Sequence, residues 1–222
     1  MENFYIKCKA IVFSFLEYFK KPIDESFLKT VESTRFVVLD TETTGFDYTT
    51  DRILCIGAVT LQNGVIAIPE SFEIFIEQEH YDENTAKIHG ILKDWIIKRP
   101  SELEALEQFL TFLDDAIIIA HHTFFDITMI NCALERNNLP KLKNKTLDTA
   151  FLYKKTLIIS NLLERKEHYT LDDLADKFDI SKKDRHTAMG DAYITAIAFL
   201  KIVKKLKDKK GKSEFTLRDL FN

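Results

Sequence analysis

Apolar and polar positions follow patterns along this chain that predict a small set of strands and helices. Short apolar or alternating runs, several rich in β-branched residues, predict strands over 36–45, 52–62, 65–68, 71–76 and 116–120. Apolar positions spaced three and four residues apart predict helices over 85–97, 101–113, 124–137, 147–157, 170–178 and 187–205. Because the strands come first and then alternate with helices, we expect an α/β fold with a mixed β-sheet flanked by helices.

Individual residues sharpen several of these boundaries. The dipeptide Asn63-Gly64 is a strong signal for a β-hairpin between the second and third predicted strands. Ser101 with Glu104 three residues later has the pattern of a capping box, and Thr170 with Asp173 has a similar pattern. These pairs predict where two of the helices begin.

The composition of the chain divides it into three parts. Residues 1–32 are rich in aromatic residues and, with Pro22 as a break, predict an N-terminal helical extension packed on the domain rather than a partner-binding arm. We expect the main domain over 33–206 and a basic C-terminal tail over 207–222.

The overall composition, 45% apolar and 30% charged residues, is that of a soluble globular protein. Cys8, Cys55 and Cys132 are widely spaced and odd in number, which predicts reduced thiols in a cytoplasmic protein rather than a disulfide framework or a zinc site. No apolar run approaches the ~20 residues of a membrane span, so no membrane partner is expected. The net charge of −4 argues against tight, non-specific binding of nucleic acid over the whole surface. It does not exclude a nucleic-acid enzyme, because bound metals and a local basic strip can meet the phosphates.

The first predicted strand carries two acids near its end. Asp40 and Glu42 are two residues apart, so their side chains should point to the same face of the sheet. Two neighbouring carboxylates repel each other, and burial increases that cost. A hard divalent metal would compensate them, although solvation at the strand end is the alternative for an isolated pair. Gly45 then permits a sharp exit from the strand.

Two later stretches supply further acids and histidines. In the first, residues 119–126, a buried strand turns into a helix whose first turn holds Asp126. In the second, His186 precedes the last long helix and Asp191 lies early on it. Each of these residues alone is more typical of a helix cap or a surface group. Together with Asp40 and Glu42 they supply four carboxylates and one histidine at strand ends and helix starts, where ligands collect in open α/β folds.

Three motifs resemble the signatures of the DEDDh 3′–5′ exonucleases. They are Asp-Thr-Glu-Thr-Thr-Gly at 40–45, Phe-Asp at 125–126 and His-x-Ala-x-x-Asp at 186–191. The chain is most similar to the DnaQ-like group, which includes the proofreading exonuclease subunit of bacterial replicative DNA polymerase. The resemblance covers roughly residues 35–205, with the motifs in family order. One position departs from the pattern, since many relatives have Asn where this chain has His122.

The resemblance implies an RNase H-like fold and a two-metal mechanism with Mg²⁺ or Mn²⁺. It implies that Asp40 bridges both ions, that Glu42, Asp126 and Asp191 complete the ligands, and that His186 takes a proton from the attacking water. The residues that it implies for substrate binding are Thr43, Thr44, Gly45, Phe46, His89 and His121. A zinc site at His121 and His122 is disfavoured, because consecutive side chains of a regular element cannot face one ion.

The expected function is therefore the metal-dependent release of nucleoside monophosphates from a 3′ end, with single-stranded DNA as the expected substrate. RNA is the alternative, because discrimination between the two sugars depends on contacts around the 2′ position. A non-catalytic module that binds nucleic acid or a polymerase is a third interpretation. A DNA polymerase and a sliding clamp are candidate partners, the clamp because Asp219-Leu220-Phe221 resembles the end of clamp-binding peptides. The competing interpretation is that Leu217, Leu220 and Phe221 pack on the domain as a final helical turn.

Overall fold

The computed structural model describes residues 25–93, 98–157, 166–211 and 214–222, so residues 1–24 of the helical extension predicted over 1–32 lie outside the described residues. The strands are β1 Phe36–Thr43, β2 Ile53–Gln62, β3 Val65–Phe75, β4 Ile117–Ala120 and β5 Thr146–Asp148. The helices are α1 Glu83–His89, α2 Glu102–Leu113, α3 Phe124–Arg136, α4 Thr149–Thr156, α5 Leu171–Phe178, α6 Ala188–Lys210 and α7 Leu217–Phe221. A 3₁₀ turn, Glu25–Leu28, precedes β1.

The five strands form one mixed sheet in the order β3-β2-β1-β4-β5. The pairs β1–β2 and β2–β3 are antiparallel, whereas β4 is parallel to both β1 and β5. Helices cover both faces, so the predicted α/β fold with a mixed sheet is confirmed.

The central strand β1 is buried on both faces, and its side chains alternate between two cores. Phe36 and Val38 pack on the side of α6, where the ring centroids of Phe36 and Phe199 are 5.4 Å apart. Val37 and Leu39 pack on the side of α2 and α3. Because this alternation continues along the strand, it decides which helix each later side chain of β1 faces.

Strand β3 corrects the prediction of two separate strands over 65–68 and 71–76. The register changes between Thr60, which pairs with Ala67, and Val59, which pairs with Ser71. The intervening residues bulge outward, and Pro69 lies among them because a bulge does not need its missing N–H. One strand therefore runs through both predicted segments.

The predicted helix over 85–97 was wrong in its length. Helix α1 ends at His89, because Gly90 adopts a left-handed backbone with φ 70° and its N–H bonds to the carbonyl of Ala86. Residues 94–97 lie outside the described residues. Strand β5 was not predicted, and its last residue, Asp148, is the N-cap of α4. Both predicted capping pairs, at Ser101 and Thr170, are confirmed.

The C-terminal segment packs into the domain. Phe215, Leu217 and Leu220 are buried in the core on the α6 side, which confirms the interpretation of a final packed helical turn. The N–H of Val31 donates to the carbonyl of Phe215 at 3.0 Å, so this segment also joins the chain that leads into β1. The division of the chain into an extension, a main domain and a tail stays a prediction.

Two broader expectations concern cysteines and membranes. In the part of the chain that the structure describes, Cys55 and Cys132 are free thiols. Among the same residues, no helix combines the length and the apolar character that a membrane crossing requires.

Candidate active site

Three carboxylates meet near the last residues of the central strand β1, on the face of the sheet that α6 covers. Asp40 and Glu42 continue the face of β1 that packs toward α6, as their spacing predicts. Asp191 approaches them from the first turn of α6. Carboxylate oxygens from these three residues lie within 4.8 Å of one another.

The start of α6 is fixed by a helix cap and by a close contact with a glycine of the sheet. The hydroxyl of Thr187 accepts a hydrogen bond from the N–H of Gly190 at 3.1 Å, which caps the helix. A Cβ on Gly57 of β2 would lie 2.3 Å from the carbonyl carbon of Ala188, so only glycine allows this approach. The contact holds Asp191 beside β1.

The fourth predicted acid, Asp126, reaches the opposite face of β1. Its Oδ1 accepts hydrogen bonds from the N–H of Thr41 at 3.0 Å and from the Thr41 hydroxyl at 2.8 Å. The structure thus brings three of the four predicted carboxylates into one cluster. It holds the fourth behind Asp40, bonded to the next residue of the strand.

Burial and mutual repulsion dominate the electrostatics of these acids. Burial, followed by the charge of Asp126, raises the pKa of Asp40 well above its ordinary value. Burial and the charge of Asp191 raise the pKa of Glu42 to about 7. Burial also raises the pKa of Asp126 to about 7, against the opposing effect of its bonds to Thr41. At neutral pH the cluster therefore favours binding either protons or cations.

One cation of the chain itself contacts this cluster, and the sequence analysis missed it. The guanidinium of Arg185 forms an ion pair with Oδ2 of Asp191 and also bonds to Asp172 on α5. Burial opposes its charge, but the hydrogen bonds to Asp172 and Asp191 outweigh burial, so the pKa of Arg185 is raised. Its place directly before His186 in the third motif was the available signal.

His186 lies in the loop beside Asp191 and is exposed to solvent. Its backbone adopts the left-handed region with φ 65°, and its N–H points to Oδ2 of Asp191 at 3.4 Å. The backbone of His186 thus contacts the cluster, and its side chain is open to solvent.

The donor set fits a hard divalent ion. Carboxylate oxygens are the ligands that Mg²⁺ and Mn²⁺ prefer. The other oxygen of Asp191, Oδ1, is buried and has no hydrogen-bond partner among the described residues. A buried, unsatisfied carboxylate oxygen is costly unless a cation approaches it.

Residues 37–199 match the family RNase_T, whose description is exonuclease. The chain belongs to this exonuclease family. The match includes all three predicted motifs, so the expected resemblance to the 3′–5′ exonucleases is confirmed.

Relatives of this exonuclease domain include bacterial DNA polymerase III proteins. The chain is 32% identical over 182 residues to the PolC-type DNA polymerase III of Thermotoga petrophila, which covers 82% of the chain but only 13% of that relative. It is 30% identical over 181 residues to the DNA polymerase III subunit epsilon of Aquifex aeolicus, covering 81% of the chain and 86% of that subunit.

Solved structures of other nucleases share the fold. E. coli exonuclease I in complex with a dT13 oligonucleotide superposes with a TM-score of 0.68 at 16% identity, covering 81% of this chain and 43% of that one. Cell-death related nuclease 4 superposes with a TM-score of 0.66 at 13% identity, covering 83% and 67%. These likenesses confirm the predicted RNase H-like fold.

In this exonuclease domain the predicted substrate loop follows β1 directly. The hydroxyl of Thr43 bonds to the carbonyl of Gly45 at 2.7 Å, and that of Thr44 bonds to Asp51 at 2.7 Å. A Cβ on Gly45 would lie 2.4 Å from Oδ2 of Asp51, so a side chain at this position would have to displace the Asp51 carboxylate. The loop presents Phe46 with 79% of its surface exposed.

His89 lines a cavity of about 250 Å³ together with Glu42. Its Nδ1 accepts a hydrogen bond from the N–H of Ile91 at 3.0 Å, whereas its Nε2 is buried without a partner among the described residues. Burial lowers the pKa of His89, which favours the neutral ring. One nitrogen is therefore available to a ligand.

His121 is differently placed from the prediction of a substrate contact. Its Nδ1 lies 2.9 Å from the hydroxyl of Thr149 and its Nε2 lies 2.9 Å from the carbonyl of Tyr169. Burial, followed by neighbouring His122, lowers its pKa to about 4. Both ring nitrogens are therefore engaged within the chain. His122 is exposed in the left-handed region with φ 58°.

Proposed function

We propose that this protein is a divalent-metal-dependent 3′–5′ exonuclease that releases nucleoside 5′-monophosphates from single-stranded DNA. The observation that carries the proposal is the meeting of Asp40, Glu42 and Asp191, whose ligand oxygens lie within 4.8 Å of one another. Membership of the exonuclease family supports the same chemistry.

The carboxylate cluster is the proposed site for two Mg²⁺ or Mn²⁺ ions. Asp40, Glu42 and Asp191 would hold them, with Asp126 as the fourth acid behind Asp40. Bound divalent ions activate water and stabilise charge on the oxygens of a phosphodiester. The protein itself supplies the fixed acids, whose mutual repulsion favours cation binding.

His186 is the proposed general base. The residue is exposed on a loop whose backbone contacts Asp191, and from there its imidazole would accept a proton from the attacking water. Histidine suits this task because its two protonation states exchange near neutral pH.

The terminal nucleotide is proposed to bind between the loop after β1 and the cavity at His89. Phe46 is exposed and can stack on a base. The centroid of its ring lies 5.6 Å from that of Phe125, which packs against it. His89, whose buried Nε2 has no hydrogen-bond partner among the described residues, lines this cavity together with Glu42. Thr43, Thr44 and Gly45 shape the loop that carries Phe46.

DNA is the proposed substrate, and a replicative polymerase is the proposed partner. Two relatives are named as DNA polymerase III proteins, and a structural neighbour is a nuclease bound to a dT13 oligonucleotide. The clamp-binding interpretation is not carried forward, because Leu220 is buried and Phe221 packs against Phe27 at 5.3 Å.

The test uses 5′-labelled single-stranded DNA and a matched RNA oligomer with Mg²⁺. We expect the DNA to shorten stepwise from its 3′ end with release of monophosphates, and activity to vanish with a chelator or in Asp40→Ala. Asp208→Asn, an exposed acid far along α6, is the matched control and should retain activity. Failure to cleave either oligomer with Mg²⁺ or Mn²⁺ would contradict the proposal, and faster cleavage of RNA would reassign the substrate.

A further inference from the structure

Arg185, the cation that contacts the carboxylate cluster, is itself held between two acids. The side chain of Arg185 is only 16% exposed and is shared between two acids on different helices. Its Nε donates to Oδ1 of Asp172 at 2.9 Å, and its Nη2 donates to Oδ2 of the same residue at 3.3 Å. Its Nη1 donates to Oδ2 of Asp191.

We propose that Arg185 is an internal counter-cation that competes with divalent metal for Asp191 and positions His186, with Asp172 as its anchor. The proposal deepens the proposed function and rests on it for the presence of metal at Asp191.

The competition follows from the charges. Arg185 and a divalent ion both draw on the carboxylate of Asp191, and two positive charges in a partly buried site repel each other. Removing the guanidinium should therefore raise the affinity for metal. Asp172 offers the guanidinium a second, more exposed acid, with 48% of its side chain accessible. Neutralising Asp172 leaves Asp191 as the acidic partner of Arg185 and should lower metal affinity.

The positioning role follows from the backbone. His186 comes directly after Arg185 and holds a left-handed conformation at φ 65°, which costs a non-glycine residue free energy. The fork of Arg185 ties this turn to α5 through Asp172 and to α6 through Asp191. Lysine carries the same charge but lacks the planar fork, so it separates the charge from the positioning.

The first experiment measures Mn²⁺ binding by calorimetry on chelator-treated protein. Arg185→Gln should bind Mn²⁺ about tenfold more tightly, equivalent to ~1.4 kcal/mol. Asp172→Asn should bind it several-fold more weakly, and the double variant should behave like Arg185→Gln alone. Lys183→Gln, which removes another exposed positive charge of the same loop, is the matched control and should not change affinity.

The second experiment measures single-turnover cleavage at saturating Mn²⁺. Arg185→Gln should cleave about tenfold more slowly despite its tighter metal binding, since His186 loses its support. Arg185→Lys should keep the metal affinity of the wild type but share the slow rate. A merely structural role would weaken binding and rate together.

The outcomes separate this inference from the proposed function. If the wild-type protein binds no Mn²⁺, the proposed function fails. If it binds Mn²⁺ and Arg185→Gln binds equally or less tightly, with melting temperatures within a few degrees, the counter-cation role is overturned. An effect of Asp172→Asn that persists in the double variant would overturn the anchoring role. A normal cleavage rate in Arg185→Gln would overturn the positioning role.

Discussion

Around the end of β1, the proposed metal ligands and the proposed general base differ in how far solvent reaches them. Asp40, Glu42 and Asp191 are partly or fully buried and fixed by strand and helix, whereas His186 is exposed on a loop. A buried carboxylate suits a permanent ligand, and an exposed imidazole suits a group that must exchange protons with solvent.

The exposure of His186 leads to the first prediction. His186→Ala should lower kcat by ~10²-fold or more, because the attacking water loses its proton acceptor, while Mn²⁺ affinity stays within a factor of about two. Rapid-quench cleavage and calorimetry measure the two quantities. His168→Ala, another exposed histidine, serves as the control. A loss of metal affinity without a loss of kcat would instead make His186 a ligand.

The raised pKa values of the acids lead to the second prediction. Glu42 and Asp126 have pKa values of about 7 in the folded protein, above those of the unfolded chain near 4. Between these values the folded state binds more protons, so its unfolding free energy falls as pH rises. The melting temperature of chelator-treated protein should therefore fall from pH 5 to pH 7.5.

Two changes, added Mg²⁺ and one substitution, should reduce or remove this fall in the melting temperature. Mg²⁺ at pH 7.5 should restore the lost stability, because the ion replaces protons that the cluster would otherwise bind. Asp40→Asn should flatten the pH dependence, since it removes one of the repelling charges. A melting temperature that rises over this pH range would contradict the electrostatic account.

For single residues, the sequence predicts where a side chain points only when the local backbone geometry determines it. Asp40 and Glu42 share a face because strand residues alternate, and this needs no knowledge of the rest of the fold. The ion pair of Arg185 with Asp172 depends on how α5 packs beside α6, which local pattern does not contain. The same holds for His121, whose two partners are 28 and 48 residues away.

Among the elements, β2 and the start of α6 approach each other too closely for a side chain at Gly57. Gly57→Ala should lower the free energy of unfolding by about 1–3 kcal/mol, because the new methyl group meets the backbone of Ala188. It should also weaken Mn²⁺ binding by shifting Asp191 away from β1. Urea denaturation and calorimetry measure both effects.

The control for this substitution is Gly90→Ala. That glycine has φ 70° and no neighbour within 4 Å of an added Cβ, so alanine there should cost only ~1 kcal/mol of backbone strain and leave Mn²⁺ affinity unchanged. Equal Mn²⁺ affinity in both variants would show that the junction does not position Asp191.

The sequence predicted those elements whose boundaries depend on local residues such as helix caps. It did not predict the elements that exist because one strand pairs with another. The capping box at Ser101 and Glu104 is local, and so it was predictable. Strand β5 has three residues, too few for a periodic signal, and it exists because it pairs with β4. The bulge around Pro69 joins two predicted strands into one because β2 pairs with both parts.

At the scale of the whole molecule, the C-terminal segment contributes to the core. Phe215→Ala should lower the free energy of unfolding by about 3–5 kcal/mol, because the ring of Phe215 is fully buried. Arg218→Ala, on the exposed side of α7, should change it by less than about 0.5 kcal/mol. Urea denaturation compares the two. Equal stability of both variants would contradict a packed segment and revive a tethering role.

The backbone contact between Val31 and Phe215 has a consequence for how the domain can be combined with others. The two segments lie side by side, beyond the first residue of β1, whereas the carboxylates lie toward its last residue. Where the segments that enter and leave a domain lie side by side, the domain can be inserted into a surface loop of another protein. A partner domain fused at these segments would therefore lie at the opposite end of β1 from the carboxylates and would leave the site open.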